Sequence, residues 1–427
     1  MSWKDHPSRQ SLLSEVHARP YEPIDGSQRI TRLGFLVDKN DPTADREHMR
    51  ALLSGAGLDP AMVDGNHASF AIDGIRMRWE RHTEFVSYTF LMPMPKSLDS
   101  SINPQDSVNK EWLDNIPGLL LSVQRVDIVY DEAAEVRALA GRRLEPELVV
   151  GATIGDNQFS LFTDFRAKPD GSVHYLLGVH TETRSRRLGR YLQRVLEIET
   201  YRMMALLGLP VARQASGQLE AAEVQLTELS ALLNEPLKRD ESAILDKVSQ
   251  LATEVEAIYT RSHSRFSASA AYFTLVETRV NELRETPFAG LQTVGQFLDR
   301  RLGPARQTCA ATDNRLANLS RRIAHASELL DTRVGINQAK SQYDLLRTMT
   351  NRQQAQMKMQ STVEGLSVAA ITYYGAGLIG YLAKPAAAWG WPLSETMTVA
   401  VAVPVIAITV WIGLRRMHKR VAAVIGD

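Results

Sequence analysis

The sequence predicts an α+β cytoplasmic domain, then a long α-helical coiled-coil stalk, then a C-terminal two-helix transmembrane hairpin. Three observations carry this prediction. Short runs rich in β-branched and aromatic residues, bounded by Gly, Pro, Asp or Asn, recur through residues 1–183 and then stop. Beyond them, apolar residues step by three and four, the spacing of a helix seam. Near the C-terminus, two stretches of 19 residues carry no charge.

Composition bounds the reading. The chain has 427 residues with 49 basic and 49 acidic side chains, so it has no formal net charge. Its pI is about 7.2 and its mean hydropathy is −0.20. The length suggests roughly three domains at about 150 residues each. A balanced charge argues against bulk nucleic-acid binding, which needs a basic excess. The single cysteine, Cys309, excludes an intramolecular disulfide framework and a multi-cysteine zinc site. The opening MSWKDHPSRQ has no apolar signal region, so the N-terminal part is expected in the cytoplasm.

Within residues 1–183 the expected strands are Arg29–Val37, Ser69–Trp79, Thr83–Met92, Leu121–Tyr130, Leu148–Ile154, Phe159–Phe162 and Val173–Val179. The second and third form a hairpin. Helical pieces fall at Thr43–Leu53 and Asn109–Asn115, and Asp41-Pro42 and Asp59-Pro60 mark starts or turns. Ser54-Gly55-Ala56-Gly57 lacks the third glycine of a dinucleotide loop and reads as a turn.

Residues 184–364 read as a helical stalk. One helix covers Arg186–Leu207, ended by Gly208 and Pro210. Others cover Ala212–Leu233, Glu241–Arg284 and Gly290–Arg301, the last stopped at Gly303-Pro304. Ile244, Val248, Leu251, Val255 and Ile258 form a seam within the third. A final helix starts near Ala305, where Cys309, Thr312, Leu316, Leu319, Ile323, Ala326 and Leu330 repeat the pattern. No proline follows until Pro385, so this helix is expected to run into the first span, with Gly335 the weakest point. The seams suit packing within one chain or between chains, and a homo-oligomer is expected.

The hairpin occupies 365–414. Its spans, 365–383 and 396–414, each match the ~20 helical residues that cross a ~30 Å bilayer core. Tyr381, Trp389 and Trp391 cluster at the connecting loop, where aromatic rings favour the headgroup level. Arg347, Arg352 and Lys358 precede the first span, and Arg415, Arg416, Lys419 and Arg420 follow the second. The loop has one lysine, Lys384. The positive-inside rule therefore puts both flanks, including a basic 415–427 tail, in the cytoplasm.

Several strings resemble a known family. His6-Pro7 and Glu15-Val16-His17-Ala18-Arg19-Pro20 open it. Trp79-Glu80-Arg81-His82-Thr83-Glu84-Phe85, Thr163-Asp164-Phe165-Arg166 and Leu196-Glu197-Ile198-Glu199-Thr200-Tyr201-Arg202 continue it, with Met204–Pro210 after them. Together they resemble a bacterial family of membrane-anchored proteins, domain of unknown function 3422. The resemblance implies a bacterial inner-membrane protein and no activity. The architecture is also similar to that of CorA-type divalent-cation channels, which implies an oligomer with first spans lining a pore. The Gly-Met-Asn signature of those channels is absent, since the first span ends Gly380-Tyr381-Leu382-Ala383.

Two constellations invite chemistry. Glu15 and His17, with His82 and Glu84, have the i, i+2 spacing of one strand face, and Asp164 or Glu197 would complete a divalent-metal set. The favoured reading is instead a buried network in which Arg19, Arg81 or Arg166 pairs the carboxylates. On the next string, Glu199 with Arg202 and Arg194 with Glu197 make i, i+3 pairs on a helix packed against the sheet. The second constellation is the hairpin. Thr372, Tyr373, Gly375, Gly377, Gly380 and Tyr381 give the first span small and polar groups, with Glu364 at its cytoplasmic mouth. They suit either a pore or oligomer contact, or packing against the second span. No catalytic motif is found, and no enzyme activity is expected. Two functions follow as expectations: an oligomeric CorA-like ion channel with a cytoplasmic sensor, or a membrane-anchored scaffold without transport.

Overall fold

A computed structural model describes residues 4–9, 12–13, 21–38, 40–96, 100–180, 183–234, 241–388 and 392–425. It separates into two units, Met1–Ser327 and Glu328–Asp427.

The first unit is built on a nine-stranded sheet of order β2-β3-β4-β1-β5-β8-β7-β6-β9. Its strands are β1 (Gln28–Leu36), β2 (His67–Ile72), β3 (Ile75–Arg81), β4 (Phe85–Pro93), β5 (Leu119–Tyr130), β6 (Val150–Ile154), β7 (Phe159–Ala167), β8 (Val173–Val179) and β9 (Thr286–Pro287). Among the described residues, only β5 and β8 pair in parallel. Each half of the sheet is a strand, a helix and a three-stranded meander. The first half carries α1 (Ala44–Gly55) and the second α3 (Ala133–Arg143), while the short α2 (Lys110–Asp114) precedes β5.

The expected strand Ser69–Trp79 is two strands. Asp73 and Gly74 both adopt positive φ, 49° and 79°, and close a two-residue hairpin between Ile72 and Ile75. An Asp-Gly pair favours that turn, and it outweighs the run of apolar residues around it. The α3 helix had no counterpart in the sequence reading. Ser54–Gly57 is a turn, as expected: Gly57 N–H donates to Ser54 O at 3.1 Å and Leu58 N–H to Leu53 O at 2.8 Å.

Core side chains follow strand alternation. Leu33, Phe35, Phe70, Met77, Trp79, Val86, Tyr88 and Phe90 pack with Met49, Leu52 and Leu53 of α1. Ile30, Phe85, Leu91, Val126 and Ile128 pack with helix α4 (Ser185–Leu206). Gly189 lets α4 lie against the backbone at Glu22, where a Cβ would overlap the carbonyl.

Part of the helical region shares the core of the sheet. Helix α4 ends at Leu206, just before Gly208 as expected, and helix α5 (Gly208–Asn234) begins at Gly208, ahead of the expected Ala212. Pro210 lies in its first turn, where a missing N–H costs nothing. Helix α6 (Glu241–Leu283) buries Ile244, Val248, Leu251, Val255 and Ile258 within the chain. Its C-terminal part, with Phe273, Val276 and Leu283, joins the same core as the sheet, as do Val294, Leu298 and Leu302 of α7 (Val294–Ala388). Arg306 to Glu277 (3.2 Å) and Arg315 to Glu223 (2.7 Å) tie α7 to α6 and α5. Residue 183 therefore marks a change of secondary structure inside one packed body.

The predicted stop at Gly303-Pro304 is corrected. The α7 helix runs through it, with Pro304 O accepting from Thr308 Oγ1 at 2.8 Å, and it continues through Gly335. In the second unit, α7 ends at Ala388 and α8 (Glu395–Ile425) follows, with Pro404 inside it. Both helices are long and apolar enough to cross a membrane. The tail from Arg415 to Ile425 continues α8.

Candidate functional site

Glu15, His17 and Arg19 lie outside the described residues. His82 and Glu84 do not lie on a strand face. They occupy the tight turn between β3 and β4, where His82 N–H donates to Phe85 O at 2.8 Å. The i, i+2 argument fails there because the chain reverses between them. The His82 ring stacks on Phe85 at 4.1 Å, and the Glu84 carboxylate is held by the Arg265 fork from α6 at 3.1 and 3.2 Å. Asp164 is elsewhere, at the bulge of β7. It accepts from Glu145 N–H (3.1 Å), Arg166 N–H (3.0 Å) and Lys168 Nζ (2.7 Å). Among the described residues, no three His, Cys, Asp or Glu side chains are grouped to hold a metal ion.

The carboxylates are instead fasteners, with partners other than those expected. Arg81 pairs with Asp45 of α1 at 3.1 Å, and Arg166 with Glu145 at 3.4 Å. Arg194 pairs with Glu282 at 3.0 Å rather than with Glu197. Glu197 is gripped by Arg279 of α6 and by Gln193 at 2.8 Å. Glu199 keeps its expected Arg202 partner at 2.5 Å, and it also accepts from Tyr175 Oη of β8 at 2.7 Å. Burial first, then the Glu199 charge, pushes the Tyr175 hydroxyl well above its ordinary range.

The most enclosed fastener was not anticipated as a group. Glu80 of β3 lies between Arg78 (2.6 Å) and Arg32 of β1 (3.2 Å), and all three side chains are at most 6% exposed. Burial pushes the Glu80 carboxyl up, but the Arg32 and Arg78 charges prevail and hold it at about 2. The signal was present in the sequence: Arg76, Arg78 and Glu80 alternate along a strand whose other face is apolar. Every member of the Trp79–Phe85 string except Thr83 now has a structural task.

Near the Glu84–Arg265 pair is a cavity of about 710 Å³, lined also by Leu36, Thr83, Leu119 and Leu207. Of its lining, Glu84 and Arg265 are already paired with each other.

The hairpin candidates split between two faces of the first span. Gly375 and Gly380 face the second span, where their Cβ positions would lie 3.1 Å from Ile406 and 3.4 Å from Val399. Thr372, Ala376 and Ile379 are half-buried along the same side, and Thr372 Oγ1 donates to Val368 O at 2.7 Å. Tyr373, Gly377 and Tyr381 point away. The two tyrosines are 76% and 78% exposed, and nothing lies within 4 Å of a Cβ at Gly377. Glu364 is partly exposed in α7, just before the charge-free stretch. Trp389 and Trp391 lie outside the described residues.

A comparison with curated proteins finds no match. A family description, "Protein of unknown function (DUF3422)", matches residues 4–421. That match spans the sheet, the helices and both apolar segments, and the chain belongs to this family of proteins of unknown function.

Proposed function

We propose that the chain is a two-span protein of the bacterial inner membrane, with both termini in the cytoplasm. Its hairpin acts as an anchor, and the first unit is an interaction module at the membrane surface. The observation that carries this reading is the packing of Gly375 and Gly380 against Ile406 and Val399. Two of the small residues that could bring first spans together around an axis, Gly375 and Gly380, are already covered by the second span. Basic residues on both flanks support the orientation. The absence of Asp, Glu, Lys, Arg and His within either stretch supports an anchor over a carrier. The reading assigns no catalytic step.

Full-length protein reconstituted in liposomes should pass neither monovalent nor divalent cations faster than empty vesicles. It should also resist extraction from membranes by alkaline carbonate. Cation flux that depends on the protein overturns the anchor reading, and extraction by carbonate overturns the membrane placement.

The second reading, a CorA-like ion channel, is favoured by one feature. The α7 helix runs without interruption from the sheet core into the first span. Such a helix would transmit a cytoplasmic signal, and the same flux assay decides for it.

A further inference from the structure

Every residue from Gly335 to Val363 of α7 is exposed. A helix that is solvated all round should be polar all round, because helical stability in proteins comes mostly from a packed apolar face. This one is not. Leu329, Ile336, Tyr343 and Met357 recur at multiples of seven, and are 51%, 61%, 67% and 58% exposed. Ala339 and Leu346, the latter 63% exposed, sit three residues after Ile336 and Tyr343. These are the a and d positions of a heptad repeat from 329 to 360, more than four heptads long. Leu345 and Met359 fall outside the seam, at c.

We infer that residues 329–360 pair with the same segment of a second copy of this chain, as a parallel coiled coil. The charges choose the direction. The e positions carry Arg333, Lys340, Arg347 and Gln354, whereas the g positions carry Glu328, Gly335, Gln342, Met349 and Gln356. An antiparallel pair would set the basic e positions of the two copies against each other. A parallel pair sets e against g′, so that Glu328 meets Arg333 of the other copy and the remaining cations face neutral residues. The polar Thr350 and Gln353 within the seam suit register selection over maximal affinity. The anchored reading adds an independent reason for the direction, since spans inserted in one membrane leave it in the same sense.

The test uses single cysteines in the full-length chain, in native membranes, under mild copper-phenanthroline oxidation. Ile336→Cys, Tyr343→Cys and Met357→Cys should each form a disulfide-linked species of twice the mass. Ser341→Cys and Ala355→Cys, at f positions, and the parent with only Cys309 should give at least several-fold less. Adding Ile336→Asp and Leu346→Asp to Met357→Cys should reduce its yield several-fold. Equal yields at a and f positions, or none at a, overturn the seam. Strong linkage at Tyr343→Cys alone overturns the parallel direction. A carbonate wash of the same membranes separates the two proposals: chain that washes off yet still links at all three a positions refutes the anchor and keeps the seam.

Discussion

Replacing Glu80 by glutamine removes one negative charge from between two positive ones that are held out of water. Arg32 and Arg78 are 4% and 6% exposed, so water does not compensate either guanidinium. The ordinary carboxyl value of 4.5 falls to about 2 in the fold. That difference corresponds to about 3 kcal/mol of stabilisation of the charged form. Breaking a buried pair by removing one partner costs about 3–5 kcal/mol, so the two routes agree. At about 2 °C or more per kcal/mol, E80Q should melt roughly 5–10 °C below the parent. The sign with pH follows from the lowered value. The stabilisation is complete above 4.5 and is lost as pH falls towards 2, so the gap between E80Q and parent should narrow over that window. Differential scanning fluorimetry of the purified chain in detergent reads both quantities. Replacing the triad together, Arg32→Met, Arg78→Met and Glu80→Leu, should recover much of the loss, because no charge is then left buried alone. An unchanged melting temperature for E80Q refutes the reasoning.

Three further outcomes are expected. Burial, then the Arg125 charge, hold His174 at about 4 against an ordinary 6.5, so it is neutral in the fold; stability should fall as pH drops from 6.5 towards 4, and His174→Gln should remove that part of the slope in a pH series of melting curves. Arg265→Ala releases Glu84 and should destabilise by about 1 kcal/mol, the pair being partly exposed; amide exchange should quicken at His82–Phe85, and unchanged exchange there counts against the fastener role. Gly375→Leu should lower the melting temperature in detergent by forcing Ile406 away, whereas Gly377→Leu, which meets nothing within 4 Å, should leave it unchanged; equal effects would dissolve the distinction between the two faces.

The strands, the long helices and the two apolar stretches were legible because each is written in consecutive residues. Val173–Val179 and the two charge-free runs needed no knowledge of partners. The errors came where a local rule met a competing local one: Asp73-Gly74 splitting an apolar run, and Gly303-Pro304 lying inside a helix. At Pro304, neighbouring packing by Leu302 and Ala305 keeps the helix going despite the missing N–H.

Tertiary structure alone decided what the charged strings do. The residues quoted for the family resemblance were visible as a pattern, and a metal set was one reading of them. Their actual partners lie far away in sequence: Glu80 meets Arg32 across 48 positions, and Glu84 meets Arg265 across 181. A carboxylate's role depends on which cation reaches it and on how much water is excluded, and neither is a property of its neighbours in the chain. The same holds for the glycines of the first span. Their small size suited close approach, but only the path of the second helix separated Gly375 and Gly380, which it covers, from Gly377, which it leaves open.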